Sequence, residues 1–141
     1  MKKKILIVCA NYYKDISNGL ISSALKKIPK FSQVKIINVP GVFEIPVTIS
    51  KNLKKFDAFI ALGCVIKGQT PHFDFISQAS TNAIMKLSIE SKKPIGNGII
   101  TCLNMKQAIA RKKKGAEAAN AILSVLSQKW KPALVLKITL E

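Results

Sequence analysis

Residues 57–76 read DAFIALGCVIKGQTPHFDFI. After Asp57 the stretch is apolar as far as Ile66, the pattern of a strand buried on both faces. Thr70 then offers a capping hydroxyl, and Pro71 fits the first position of a helix, a common start signal. A buried strand that passes straight into a capped helix is half of a βαβ unit.

The same alternation extends in both directions. KILIVCA (4–10) predicts another buried strand, and VKIINV (34–39) a further strand closed by a Pro40-Gly41 turn. Between them Asp15 is the expected N-cap of a helix, with Ile16, Leu20, Ala24, Leu25 and Ile28 on its inner face. FEIPVTISKNLKK (43–55) predicts a helix that tolerates Pro46 in its first turn. The helix that starts at Thr70 runs to about Ser91, and PIGNGIIT (94–101) is a fourth strand. Asn104 and Gln107 make an N-x-x-Q capping pattern for a short helix ending near Arg111. A last helix spans about Ala116 to Gln128, with Ala119, Ile122, Val125 and Leu126 inward. The order β-α-β-α-β-α-β-α-α predicts one domain over residues 1–141: an α/β protein, a three-layer α/β/α sandwich around a four-stranded parallel sheet. In PALVLKITLE (132–141) Leu134, Leu136, Ile138 and Leu140 alternate, which predicts a half-buried strand on a sheet edge or against a neighbouring subunit.

Composition limits the function. The chain has 141 residues, 48% of them hydrophobic, and no apolar run long enough to cross a bilayer. The apolar stretch behind the basic start MKKK ends at Asn11, too short for a signal peptide, so a cytoplasmic protein is expected. Cys9, Cys64 and Cys102 are widely spaced and read as buried free thiols. With one histidine and no close cysteine pair, a zinc site is not expected. A net charge of +16 raises nucleic-acid binding as one function, but the lysines are scattered and no aromatics interleave with them. Of the 23 basic residues only Arg111 is an arginine. Chance would leave one, and so would a task that needs bidentate recognition of phosphate or carboxylate.

In an open parallel sheet, ligands bind beyond the carboxyl ends of the strands. Here those ends carry CANYY, VPGVFE, GCVIKGQTPH and GNGIIT, which should converge on one rim. The helix start at Gly68-Gln69-Thr70-Pro71 presents free N–H groups to an anion. His72, the sole histidine, follows directly. It is either a surface residue or a group placed to accept and pass a proton beside that anion.

PGVFEIP (40–46), ALGCVIKGQTPHFDFI (61–76), PIGNGIIT (94–101), KQAIAR (106–111) and KGAEAANAIL (114–123) together resemble the 6,7-dimethyl-8-ribityllumazine synthases. The resemblance runs in order through most of the chain and implies a flavodoxin-like fold. It also implies a reaction: 5-amino-6-(D-ribitylamino)uracil condenses with 3,4-dihydroxy-2-butanone 4-phosphate, without cofactor or metal, in the penultimate step of riboflavin synthesis. The steps are imine formation, loss of inorganic phosphate, and ring closure with loss of water. By resemblance, Tyr12 stacks on the pyrimidine, and Val42, Phe43 and Glu44 line the ribityl side. Cys64, Val65 and Ile66 offer backbone groups to the pyrimidine edge, while Gln69 and Thr70 hold phosphate and His72 transfers protons. Asn97, on the rim of the fourth strand, also meets substrate, and Arg111 and Lys114 bind phosphate. The resemblance places such sites between adjacent subunits of a pentamer or a multiple of pentamers, with Asn97, Arg111 and Lys114 from the neighbour.

The sequence departs from the family pattern in three places. The segment from Arg111 to Lys114 is short, Asn97 stands where many relatives have phenylalanine, and the first core strand begins almost at residue 1. The last point favours a bare pentamer over a sixty-subunit shell. The expected partners are small-molecule substrates and copies of the chain itself, not nucleic acid or membrane. The alternative is a non-catalytic lumazine- or flavin-binding protein of the same fold.

Overall fold

A computed structural model describes residues 2–129. The elements follow in the order β1 (Lys4–Ala10), α1 (Lys14–Lys27), β2 (Gln33–Val39), a 3₁₀ turn (Val42–Glu44), α2 (Ile45–Lys51), β3 (Ala58–Ile66), α3 (His72–Ser91), β4 (Ile95–Cys102), α4 (Met105–Ala110) and α5 (Lys114–Leu126). The strand expected in 132–141 lies outside the described residues.

All strand pairs are parallel, in the order β2-β1-β3-β4. Ile7 of β1 sits between Ile36 of β2 and Ile60 of β3, and Leu62 of β3 faces Gly98 of β4. The two central strands are almost wholly buried, which explains their unbroken apolar composition. On one face Ile5, Ile7, Ile60 and Leu62 pack against Ile16 and Leu20 of α1 and Ile122 of α5. On the other, Leu6, Val8, Phe59 and Ala61 pack against Ile45 and Ile49 of α2 and Ile84 of α3. Each fully buried large aliphatic contributes about 1.5–3 kcal/mol relative to exposure. This doubly wound α/β arrangement is the three-layer sandwich that the alternation predicts and the flavodoxin-like fold that the resemblance implies.

Several local expectations change. Tyr13, in extended conformation, is the N-cap of α1, and Asp15 lies one step inside the helix. There its carboxylate meets the positive end of the dipole without capping an N–H. Leu25 and Val125 are exposed, because each falls at the margin of its helix's apolar stripe. The segment 43–55 divides into the 3₁₀ turn and a short α2 that stops at Lys51, where the Asn52 side chain donates to the Thr48 carbonyl. Pro71 precedes α3, so His72 is its first residue, and Thr70 Oγ1 accepts from the His72 N–H at a long 3.4 Å. The N-x-x-Q pattern forms as expected at Asn104, whose Oδ1 accepts from the Gln107 N–H at 2.9 Å. Gln107 Oε1 in turn accepts from Leu103, one residue before the cap. No helix among the described residues is long and apolar enough to cross a membrane.

Candidate active site

The chain moves outward in opposite directions from β1 and β3, so a crevice opens between their carboxyl ends. A cleft of about 720 Å³ occupies it. β1 runs into Tyr12 and Tyr13 on one wall, and the 3₁₀ turn brings Val42, Phe43 and Glu44 to another. The end of β3 supplies Cys64, Val65 and Ile66, and α3 adds His72 and Ile76 one turn later.

Side chains pack closely over Gly63, beside this cleft. A Cβ at Gly63 of β3 would lie 2.9 Å from Val42 Cγ2 and 3.1 Å from the Ala10 Cβ. Glycine there lets the 3₁₀ turn settle against the sheet. Val42 is buried as a result, while the next residue, Phe43, is 65% exposed and faces outward. Tyr12 is 75% exposed and meets Tyr13 edge-on, ring centres 4.9 Å apart. Among the described residues the cleft therefore presents uncovered aromatic surface, which suits a flat heterocycle.

The Cys64 thiol that lines the cleft keeps its proton at neutral pH. Burial, with Cys102 close by, pushes the Cys64 thiol up to about 12, and Cys9 is raised chiefly by burial. All three cysteines are free and buried. Tyr13 is also raised, by desolvation first and then by Cys64 and Tyr12. A neutral thiol and a neutral phenol beside the cleft suit an uncharged ring.

Eight of the sequence-predicted residues thus meet in one place: Tyr12, Val42, Phe43, Glu44, Cys64, Val65, Ile66 and His72. Gln69 and Thr70 do not line it; they are exposed in the loop between β3 and α3, just before His72. A Cβ at Gly68 in that loop would meet nothing within 4 Å. The remaining three residues are elsewhere. Asn97 is the third residue of β4, opposite Ala61, well before the strand's end and not on the rim. Its Oδ1 accepts from the Ile99 N–H at 3.0 Å, satisfying a main-chain donor. Arg111 and Lys114 line a separate cavity with Ala110, Lys113 and Glu117. Lys114 Nζ lies 3.3 Å from Glu117 Oε2 in an exposed pair.

The sequence profile of the 6,7-dimethyl-8-ribityllumazine synthases matches residues 2–129, nearly the whole chain. The chain belongs to this family. It is 40% identical to the 6,7-dimethyl-8-ribityllumazine synthase of Methylorubrum populi, over 89% of this chain and 82% of that protein. It is 40% identical to 6,7-dimethyl-8-ribityllumazine synthase 1 of Rhodopseudomonas palustris, over 87% of this chain and 83% of the relative. For the Corynebacterium kroppenstedtii enzyme of the same name the figures are 38%, 85% and 80%. A lumazine synthase is a transferase of riboflavin biosynthesis, and that is this chain's activity.

Sequence reasoning missed four residues that line the cleft of this lumazine synthase fold: Ala10, Tyr13, Gly41 and Ile76. Ile76 carried a usable signal, since it lies four residues after His72 and therefore on the same helical face. Tyr13 stood beside Tyr12, but nothing in the sequence showed that both rings border one space.

Proposed function

We propose that the cleft holds 5-amino-6-(D-ribitylamino)uracil and that a second subunit completes the site over the phosphate of 3,4-dihydroxy-2-butanone 4-phosphate. The observation that carries this reading is the division of the candidate residues. One chain gathers the pyrimidine and ribityl groups in the cleft and leaves Arg111 and Lys114 in a separate cavity. Apolar side chains also stand exposed along α3, Phe75, Met85 and Ile89 among them. A patch of that kind favours association between copies, and a pentamer or a multiple of pentamers is the assembly proposed.

In this reading Tyr12 stacks on the ring, and backbone groups of Cys64, Val65 and Ile66 read its polar edge. Val42 and Phe43 border the ribityl chain, and Glu44 accepts from its hydroxyls. Gln69 and Thr70, at the start of α3, meet the phosphate from one side. Arg111 and Lys114 of the adjacent subunit meet it from the other, and Asn97 of that subunit borders the ring. His72 moves the protons of imine formation and ring closure. The clamp stabilises phosphate as it leaves, so its effect is greatest in the elimination step. The enzyme works in the cytoplasm, where both substrates are soluble.

The test is direct. Purified protein, given both substrates, forms fluorescent lumazine well above the spontaneous rate and sediments as a pentamer or a multiple of it. A monomer with full activity contradicts the shared site, and riboflavin binding without turnover supports a storage role instead.

A further inference from the structure

Between α4 and α5 the chain makes a short cationic turn, Arg111 to Lys114, and one of its four side chains is treated differently. Arg111, Lys113 and Lys114 are exposed, whereas Lys112 is half-buried. The Lys112 stem lies across α1 at Gly19. A Cβ there would be 2.8 Å from Lys112 Cδ, 2.9 Å from its Cβ and 3.2 Å from its Cγ. Four residues along α1, the Ser23 hydroxyl can donate to the Leu20 carbonyl at 3.0 Å or to the Lys112 carbonyl at 3.3 Å. The start of α5 is seated on the same helix, for a Cβ at Gly115 would come within 2.0 Å of the Leu20 oxygen. The turn is closed on itself by the Lys114 N–H, which donates to the Arg111 carbonyl at 3.0 Å.

We propose that Gly19 and Ser23 of α1 are positioning residues for phosphate handling: they form a notch that grips Lys112 and thereby fixes where Arg111 and Lys114 stand. The proposal rests on the reading that Arg111 binds phosphate. A methyl at Gly19 meets the Lys112 Cβ, which no rotamer change can move aside, so the main chain of the turn must shift. Site groups need placement to within about 0.5 Å. A shift at Lys112 passes to its immediate neighbour Arg111 and, through the closing hydrogen bond, to Lys114.

The experiment measures steady-state kinetics of the assembled enzyme, with inorganic phosphate as a competing anion. In Gly19→Ala, KM for the phosphate-bearing substrate and the inhibition constant of inorganic phosphate rise together, about tenfold. KM for the pyrimidine is unchanged. A general loss of stability does not divide the substrates in this way. In a Lys112→Gly background, where the stem is gone, adding Gly19→Ala changes phosphate inhibition by less than about twofold. Ser23→Ala, which removes only the hydroxyl, raises the inhibition constant about threefold and decides the matter if Gly19→Ala does not fold. Unchanged phosphate inhibition in Gly19→Ala and Ser23→Ala overturns the proposal. So does a Gly19→Ala effect that is equally large in the wild-type chain and in the Lys112→Gly background. Arg111→Ala separates the two readings. If phosphate inhibition survives it, the phosphate role of Arg111 falls and the notch proposal with it. If Arg111→Ala abolishes inhibition while the notch variants keep it, the notch proposal alone falls.

Discussion

The Arg111 guanidinium donates from Nη1 to the Thr101 carbonyl at 3.2 Å, near the carboxyl end of the edge strand β4. The chain's sole arginine is thus held by one arm against the sheet, and its other side-chain donors have no partner among the described residues. Arg111→Ala should lower kcat/KM by about 10²–10³, the usual loss when one donor to a developing anion is removed. Arg111→Lys should recover only part of this, because an ammonium cannot both brace on Thr101 and present a planar fork to phosphate. Lumazine fluorescence under saturating pyrimidine reads both variants.

His72→Ala should lose less. A general acid–base group is worth about 10²–10⁴-fold when proton transfer limits the rate, but imine formation and ring closure can run without the imidazole, more slowly, once the substrates are aligned. A loss of about tenfold is expected, shallower than that of Arg111→Ala. The reverse order would show that proton transfer, not phosphate departure, governs turnover.

Gly63→Ala should damage the pyrimidine side alone. Its Cβ would sit 2.9 Å from Val42 Cγ2, so the 3₁₀ turn must lift. Overpacking of this kind costs about 1–3 kcal/mol of stability. KM for the pyrimidine should rise while inhibition by inorganic phosphate stays as in the wild type. Val42→Ala in the same chain should restore much of the stability in urea unfolding.

The Cys64 thiol gives a prediction in pH. Its folded value, about 12, lies above the ordinary 9.0, so the folded chain keeps a proton that the unfolded chain loses. The associated stability is complete below pH 9 and is lost as pH rises from there toward 12. The urea midpoint should fall between about pH 8.5 and 10.5 more steeply in the wild type than in Cys64→Ala. Iodoacetamide should label Cys64 in the native protein only slowly at neutral pH, since little thiolate is present.

Along α3, Phe75, Asn82, Met85 and Ile89 follow at helical spacing, and the three apolar ones are well exposed. Ile89→Lys should reduce the particle mass measured by sedimentation while leaving the far-ultraviolet spectrum of the fold intact. An unchanged mass would place the interface on another face.

Much of this is legible in the sequence because the physics is local. Strands buried on both faces cannot hide their composition, and KILIVCA and AFIALGCVI declare themselves as β1 and β3. That CANYY, VPGVFE and GCVIKGQTPH share one rim follows from chain direction, since every parallel strand ends on the same side. What escapes depends on partners distant in sequence. Asn97 does not reach the rim because the register of β4 is set by Phe59 and Ala61, not by the glycines around it. Asp15 does not cap α1 because Tyr13 already has the extended backbone of a cap. The Gly19 notch is invisible in the sequence because its occupant, Lys112, lies far along the chain.

Subunit complementation tests the shared site most directly. Arg111→Ala leaves the cleft intact, and the double variant Phe43→Ala, Glu44→Ala leaves the cationic turn intact. Each assembly alone should be nearly inactive. Unfolded together and reassembled, the mixture should regain a substantial fraction of wild-type lumazine formation, since some interfaces then pair an intact cleft with an intact Arg111. A mixture no more active than its separate components would contradict the account, because it would mean that each chain carries its whole site alone.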